Sequence, residues 1–446
     1  MRRIKLIAIL LIFQLKIDAQ SWSNLGNGTS GTPDGIVLAS ANYKGEIYAG
    51  GNFTTAGDIA AGHIAKWDGT GWQPLLTGTN GPVRAMAVYN NELYVAGNFT
   101  VAGGVATYNI AKWNGVSWDS VGSEFHSGAI SALTADTVNN ILYAGGTFGV
   151  LAGDPGNNIA KWNGSAWSSV GIGVNSTIRA LAMFQGNLYA GGYFTQAGSV
   201  SVQYVAKWNG TSWSSTYSGF DSWVYALTEY NSELYAGGDF SFASGAYAFS
   251  IAKCAGGSWA PVGGGMATPG GPRTVYALKV FGSDLYAGGQ FKSSGGILTN
   301  GISKWNGISW SPLGSGINGA SLFPAVTTIA SDSSGIYIGG GFANTGTTVV
   351  NNIAKWTTVA GINENEKIHS FSVFPNPFSD KATIKLDEHL INSQLILTDE
   401  LGIEKRNITF SGHQFLLEKE ELIAGIYFLK IVSGNKIMVR KIIIIE

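Results

Sequence analysis

Residues 93–121 read LYVAGNFTVAGGVATYNIAKWNGVSWDSV. An apolar residue, a tyrosine and a glycine near-doublet open the stretch, an Ile-Ala-Lys-Trp tetrad ends at Trp113, and Trp118 follows. Asn114-Gly115, between the two tryptophans, is a hairpin signal, because a type I′ turn needs positive φ at both central residues. With the apolar run just upstream and the Asn90-Asn91 turn, four strands emerge: Val83–Tyr89, Leu93–Phe99, Asn109–Trp113 and Trp118–Val121.

The same layout occurs seven times. The Tyr-Gly signpost begins at Ile47, Leu93, Leu142, Leu188, Leu234, Leu285 and Ile336, in steps of 46 to 51 residues. The tetrad ends at Trp67, Trp113, Trp162, Trp208, Cys254, Trp305 and Trp356, and the fourth-strand tryptophan stands at Trp72, Trp118, Trp167, Trp213, Trp259 and Trp310. Periods of about 40–50 residues with four strand signals are those of β-propeller blades. The seventh unit runs past Trp356 without a second tryptophan, but Ser21-Trp22-Ser23-Asn24-Leu25-Gly26 supplies one from the other end of the chain. A ring closes when the chain ends share a blade, and closure removes the open edges of a linear array. The expectation is an all-β, seven-bladed β-propeller of four-stranded blades over residues 20–362, whose N-terminal strand completes the last blade.

Composition narrows the classes. Glycine numbers 63 in 446 residues, about twice the usual share, without the Gly-X-Y period of collagen. Lys and Arg total 27 against 28 Asp and Glu, which removes the global electrostatic case for nucleic acid or an anionic membrane. A single cysteine, Cys254, excludes an intramolecular disulfide and any paired-cysteine metal site. Residues 1–19 read as a secretory signal: Arg2, Arg3 and Lys5 precede the apolar run Leu6–Leu15, and Ile17 and Ala19 occupy the positions before cleavage. No later run has 18 apolar residues, so no transmembrane segment is expected. From Asn363 onward the character changes, with 22 charged residues in 84 against 28 in the 343 of residues 20–362. A polar linker over 363–370 then leads into a small β-sandwich over 371–446, with strands expected at Ala382–Leu386, Gln394–Thr398, Gln414–Leu417, Gly425–Ile431 and Lys436–Ile445.

The Tyr-x-Gly-Gly second strand and the fourth-strand tryptophan resemble kelch-type propeller repeats, and more closely the repeats of secreted bacterial proteins. The resemblance implies a fold and leaves the function open. The C-terminal segment resembles a type IX secretion system sorting domain: Pro375, Asn376 and Pro377, then Gly425 and Tyr427 within Ala424–Ile431, then Lys441 before an apolar tail. That resemblance implies the type IX secretion machinery as a partner. It implies a secreted or surface-bound protein of a Gram-negative bacterium of the Bacteroidetes type.

Chemistry-bearing residues are sparse. His63 and His126 are isolated loop histidines, and Cys254 replaces a tetrad tryptophan, so neither a metal nor another cofactor is expected. The tetrad lysines, from Lys66 to Lys355, are seven of the 13 basic residues of 20–362. They read either as a ring of cations in the channel or, more simply, as stems lying over apolar neighbours. Blade five carries aromatic residues outside the repeat positions: Tyr217, Phe220, Trp223, Phe242, Tyr247 and Phe249, with Asp221 among them. They suit a glycan or a surface protein as ligand, or pack together to seal the channel mouth. The leading expectation is a non-catalytic binding or adhesion module. The alternative is an extracellular carbohydrate-active enzyme with acids among Asp34, Asp58, Asp119, Asp136, Asp154, Asp221 and Asp239.

Overall fold

The repeat signposts become strand pairings in the computed structural model of the chain. It describes residues 21–445 apart from 32–33, 123–124, 126, 150–156, 256, 270–272, 320–323, 358–370, 400–403 and 434–435. The signal, the linker, His126 and Asp154 lie outside the described residues. Two compact units divide between Val359 and Ala360.

The first unit contains seven four-stranded antiparallel sheets, six of them in simple meander order. Blade two runs Val83–Tyr89, Glu92–Gly97, Ile110–Trp113 and Trp118–Ser120. Blade seven takes three strands from Ala325–Asp332, Gly335–Gly341 and Ile353–Thr357, and its fourth is Ser21–Asn24, with Trp22 opposite Trp356. Neighbouring innermost strands pack in sequence around the ring, and the last, Ala325–Asp332, packs against the first, Val37–Tyr43. The ring is closed.

What joins blade to blade is written in the repeat. The indole N–H of each fourth-strand tryptophan reaches back to the segment leaving the preceding blade. Trp72 donates to the Leu25 carbonyl at 2.8 Å, Trp118 to Leu75 at 3.0 Å, Trp167 to Val121 at 2.9 Å and Trp213 to Val170 at 3.0 Å. Trp22 makes the same bond to Leu313 at 2.9 Å, so it occupies the seventh place, although it is half-buried where the other six are buried. Buried polar N–H groups need such partners, and each bond ties two blades at once.

The glycine doublets serve close approach. At the first position a Cβ on Gly50, Gly191 or Gly237 would strike the branched residue that opens the next blade, Val83, Val224 or Val275. Gly339 faces Val37 in the same way across the closure. At the second position a Cβ on Gly51, Gly97, Gly192 or Gly340 would strike a backbone carbonyl of its own innermost strand, which cannot move aside. Blade two carries Ala96 at the first position, whereas the second is glycine in all seven blades.

The second unit is a small β-sandwich built from one bent antiparallel sheet. Its strands are Phe371–Phe374, Lys381–Asp399, Glu404–Glu418, Gly425–Ser433 and Lys436–Ile444. The two strands expected at Ala382–Leu386 and Gln394–Thr398 are one, whose register shifts around Leu390 and Ser393 let it serve both layers. Ile384, Leu395, Leu397, Leu429, Ile431 and Ile442 are fully buried between the layers. Asn376 accepts a hydrogen bond from the Ile443 backbone N–H at 2.8 Å, and Phe378 exchanges backbone bonds with Ile443 and Ile445. Tyr427 is buried and donates to the Ile423 carbonyl at 2.9 Å. The Pro375-Asn376-Pro377 segment is thus clipped to the terminal strand that carries Lys441, and that strand pairs with the one opening at Gly425.

Candidate functional site

Each innermost strand has a branched apolar residue at or next to its start, then skips one residue of the ladder and continues. The register shifts fall between Val37 and Ala39, Ile130 and Ala132, Ile178 and Ala180, Val224 and Ala226, Val275 and Ala277, and Val326 and Thr328. Blade two omits Arg84 in the same way, pairing Ala96 with Ala85 and Gly97 with Val83. A β-bulge leaves its extra residue unpaired and re-aims its side chain. Here all seven extra residues point inward: Leu38, Arg84, Ser131, Arg179, Tyr225, Tyr276 and Thr327 line one cavity of about 200 Å3.

An aromatic path leads from the mouth into this ring. Trp223 is 42% exposed. Its ring lies 4.8 Å from that of Tyr193, and Tyr193 lies 5.8 Å from Tyr225. Tyr225 in turn meets Tyr276 at 5.2 Å and receives the Arg179 guanidinium over its face at 5.7 Å. Burial pushes the Tyr225 phenol up, as does its hydrogen bond with Tyr193, and burial also raises Tyr276. Both hydroxyls therefore stay neutral at physiological pH.

The other blade-five residues separate from Trp223. Phe242, Tyr247 and Phe249 form a second cluster on the loop hairpin, with ring separations of 4.4 and 5.5 Å, and Arg273 sits 5.0 Å over Phe249. Phe220 is a correction: it is buried against Phe240 and Trp259 and offers no face to a ligand. Tyr217 is another, because it lies beside Cys254 and Gly257, on the outer strands of blade five. Asp221 accepts from the Ser241 and Phe242 backbone N–H groups, both at 2.8 Å. Asn80 and Asn175 do the same in blades two and four, so Asp221 is a loop brace.

The remaining carboxylates are spread out. Asp34 accepts from the Ile36 N–H and Asp58 from Asn27, Asp136 closes its own turn with Val138 and Asn139, and Asp119 is exposed on a fourth strand. Asp239 stands at the mouth, its pKa raised by partial burial against the lowering effect of Thr274. Asp221 adds only the smallest of the upward pushes on Asp239. The tetrad lysines do not form a channel ring. Lys66, Lys112, Lys253 and Lys304 pair with Glu46, Glu92, Glu233 and Asp284 at 2.9–3.1 Å, on the third and second strands. His63 and Cys254 are each half-buried, so His63 is not simple surface decoration. Among the described residues no group of three His, Cys, Asp or Glu gathers to hold a metal ion, and no helix is long and apolar enough to cross a membrane.

Arg84 and Arg179 escaped the sequence reading. Their signal was present: between a constant Val or Ile and a small residue, usually Ala, one place varies freely as Leu, Arg, Ser, Arg, Tyr, Tyr and Thr.

Residues 24–187 match the Rax2 C-terminal beta propeller domain, and residues 372–445 match the secretion system C-terminal sorting domain. Among curated proteins none matches the chain. Among solved structures, PorZ is described as an essential bacterial surface component of the type IX secretion system of Porphyromonas gingivalis. It is similar over 94% of this chain and 61% of its own, at 14% identity and a TM-score of 0.45. A structural genomics protein of unknown function from Bacteroides thetaiotaomicron is similar over 76% of each chain, at 13% identity and a TM-score of 0.40. The chain spans about three fifths of the length of the PorZ chain. The protein is a β-propeller with a type IX secretion sorting domain. The tail directs it out of the cell, to the outer surface.

Proposed function

We propose that the protein is a non-catalytic binding module of the cell surface that holds saccharide at the mouth of its channel, with Trp223 as the platform. The observation that supports this is an indole left 42% exposed where the other blades place Ile36, Pro82, Ala129, Thr177, Thr274 and Ala325. Tyr193 backs one side of the ring at 4.8 Å and Tyr225 meets it edge-on at 6.5 Å. Large flat rings with neighbouring polar groups stack on sugar faces at little entropic cost. The rival enzymatic reading requires two free carboxyls about 5–10 Å apart across a cleft. Asp221 is engaged by two backbone amides in a task that asparagine performs in other blades, and Asp239 alone makes no pair.

The test is an oligosaccharide array probed with the secreted protein and with Trp223→Ala. The expected result is saccharide binding weakened by about 1–3 kcal/mol in the variant, the scale of an aromatic hot spot. Its melting temperature should change little, since surface substitutions usually stay within about 0.5 kcal/mol. A large loss of stability with unaltered binding would show that Trp223 plugs the channel. Binding of proteins but of no saccharide would replace the ligand class.

A further inference from the structure

The lumen below the mouth holds a feature that the Trp223 platform does not use. Two of the seven inward-pointing bulge residues are arginines, Arg84 from blade two and Arg179 from blade four, and both line the same cavity of about 200 Å3. None of the seven lining residues is acidic. Among the described residues neither arginine forms an ion pair. The Arg84 Nε atom is buried and has no hydrogen-bond partner. Ser131, Thr327, Tyr225 and Tyr276 share the wall with the two arginines; the Thr327 hydroxyl donates to the Val37 and Gly339 carbonyls and that of Tyr225 bonds to Tyr193. Asp239, at the mouth, acts electrostatically on Tyr225 and Tyr276.

We propose that this lumen is a binding site for a small oxyanion (sulfate, phosphate or carboxylate) held between Arg84 and Arg179. Two like charges in a partly desolvated cavity are unfavourable without a counter-charge, and an unpartnered guanidinium N–H adds to the cost. An oxyanion supplies both the charge and the acceptors, and guanidinium groups match its geometry with paired N–H donors. The Ser131 and Tyr276 hydroxyls on the remaining wall are neutral and donate to the same oxygens without opposing the charge. The Arg84 guanidinium is held below its ordinary range by burial first and then by the charge of Arg179. The cavity has the volume of about seven water molecules, taking roughly 30 Å3 for each. That is smaller than a drug-sized ligand needs and sufficient for an oxyanion or one acidic sugar residue.

The site stands apart from the Trp223 platform, and its test keeps the two separate. The full-length secreted protein is titrated calorimetrically with sodium sulfate, sodium phosphate and glucuronate, with glucose as the uncharged control and ionic strength held constant with chloride. Saturable binding of at least one oxyanion, and none of glucose, is the expected result. Arg84→Met with Arg179→Met should weaken that binding at least tenfold, and Trp223→Ala should leave the inorganic anions bound as before. Glucuronate favoured over both inorganic ions identifies an acidic sugar as the source; inorganic ions favoured over glucuronate identify a free anion. If the double variant does not fold, Arg179→Gln alone should weaken binding and should raise the melting temperature in chloride, because one of two repelling charges is gone. No saturable oxyanion binding by the wild type, or binding that the arginine variants leave unchanged, would overturn the proposal.

Discussion

At the scale of single residues, His63 shows how a repeat constrains one position. It precedes the third strand of blade one with φ at 60°, where Asn109, Asn158 and Asn352 stand in other blades with φ between 64° and 71°. Left-handed backbone favours asparagine over most side chains. Each of those asparagines also donates its amide N–H to the segment entering the next blade, to Phe125, Val174 and Thr29 at 3.0–3.1 Å. The corresponding His63 Nδ1 is buried without a partner, and burial holds its pKa below the ordinary 6.5. A lowered folded value means that the unfolded chain binds the proton more readily. Stability is therefore full above pH 6.5 and declines as pH falls through the lower folded value. His63→Asn should add a blade-to-blade hydrogen bond worth about 0.5–1.5 kcal/mol. It should also flatten this decline. Thermal melts of both proteins from pH 7.5 to pH 4.5 check it: a variant that melts lower at every pH contradicts the argument.

At the scale of elements, the fourth strand of blade seven decides whether the ring holds. Trp22 lies 4.9 Å from Trp356 and reaches Leu313, so one side chain links the chain's two ends and two blades. Truncating a well-packed tryptophan costs about 3–5 kcal/mol, and the half-buried Trp22 belongs at the lower end of that range. Against a typical stability of about 5–15 kcal/mol, Trp22→Ala should lower the melting temperature clearly. A shift of only a degree or two would mean that closure rests elsewhere. The strand itself was legible in the sequence because a missing tryptophan at one end matched a spare one at the other. The lumen was not, because a bulge breaks the two-residue alternation on which strand reading depends, and so hid the direction of Arg84 and Arg179. Aromatic content likewise drew Phe220 and Tyr217 toward the mouth, although position in the repeat sends one into the core and the other to the outer strands. In the C-terminal unit the polar run around Asp387 and His389 read as a break, yet the backbone passes through it as one strand with a shifted register.

At the scale of the whole molecule, folding and address are separate. The propeller closes on its own residues, since its last strand pair joins Ser21–Asn24 to Ile353–Thr357. The sorting unit has its own core and draws its motif segments together on the terminal strand. Removal of one should therefore leave the other's packing intact while changing where the protein goes. The decisive measurement is fractionation of a type IX-competent bacterium producing either the full chain or the chain without residues 371–446. The full chain should be found outside the outer membrane. The shortened chain should accumulate in the periplasm as a protease-resistant propeller. Shortened protein outside the cell at the level of the full chain would contradict the account.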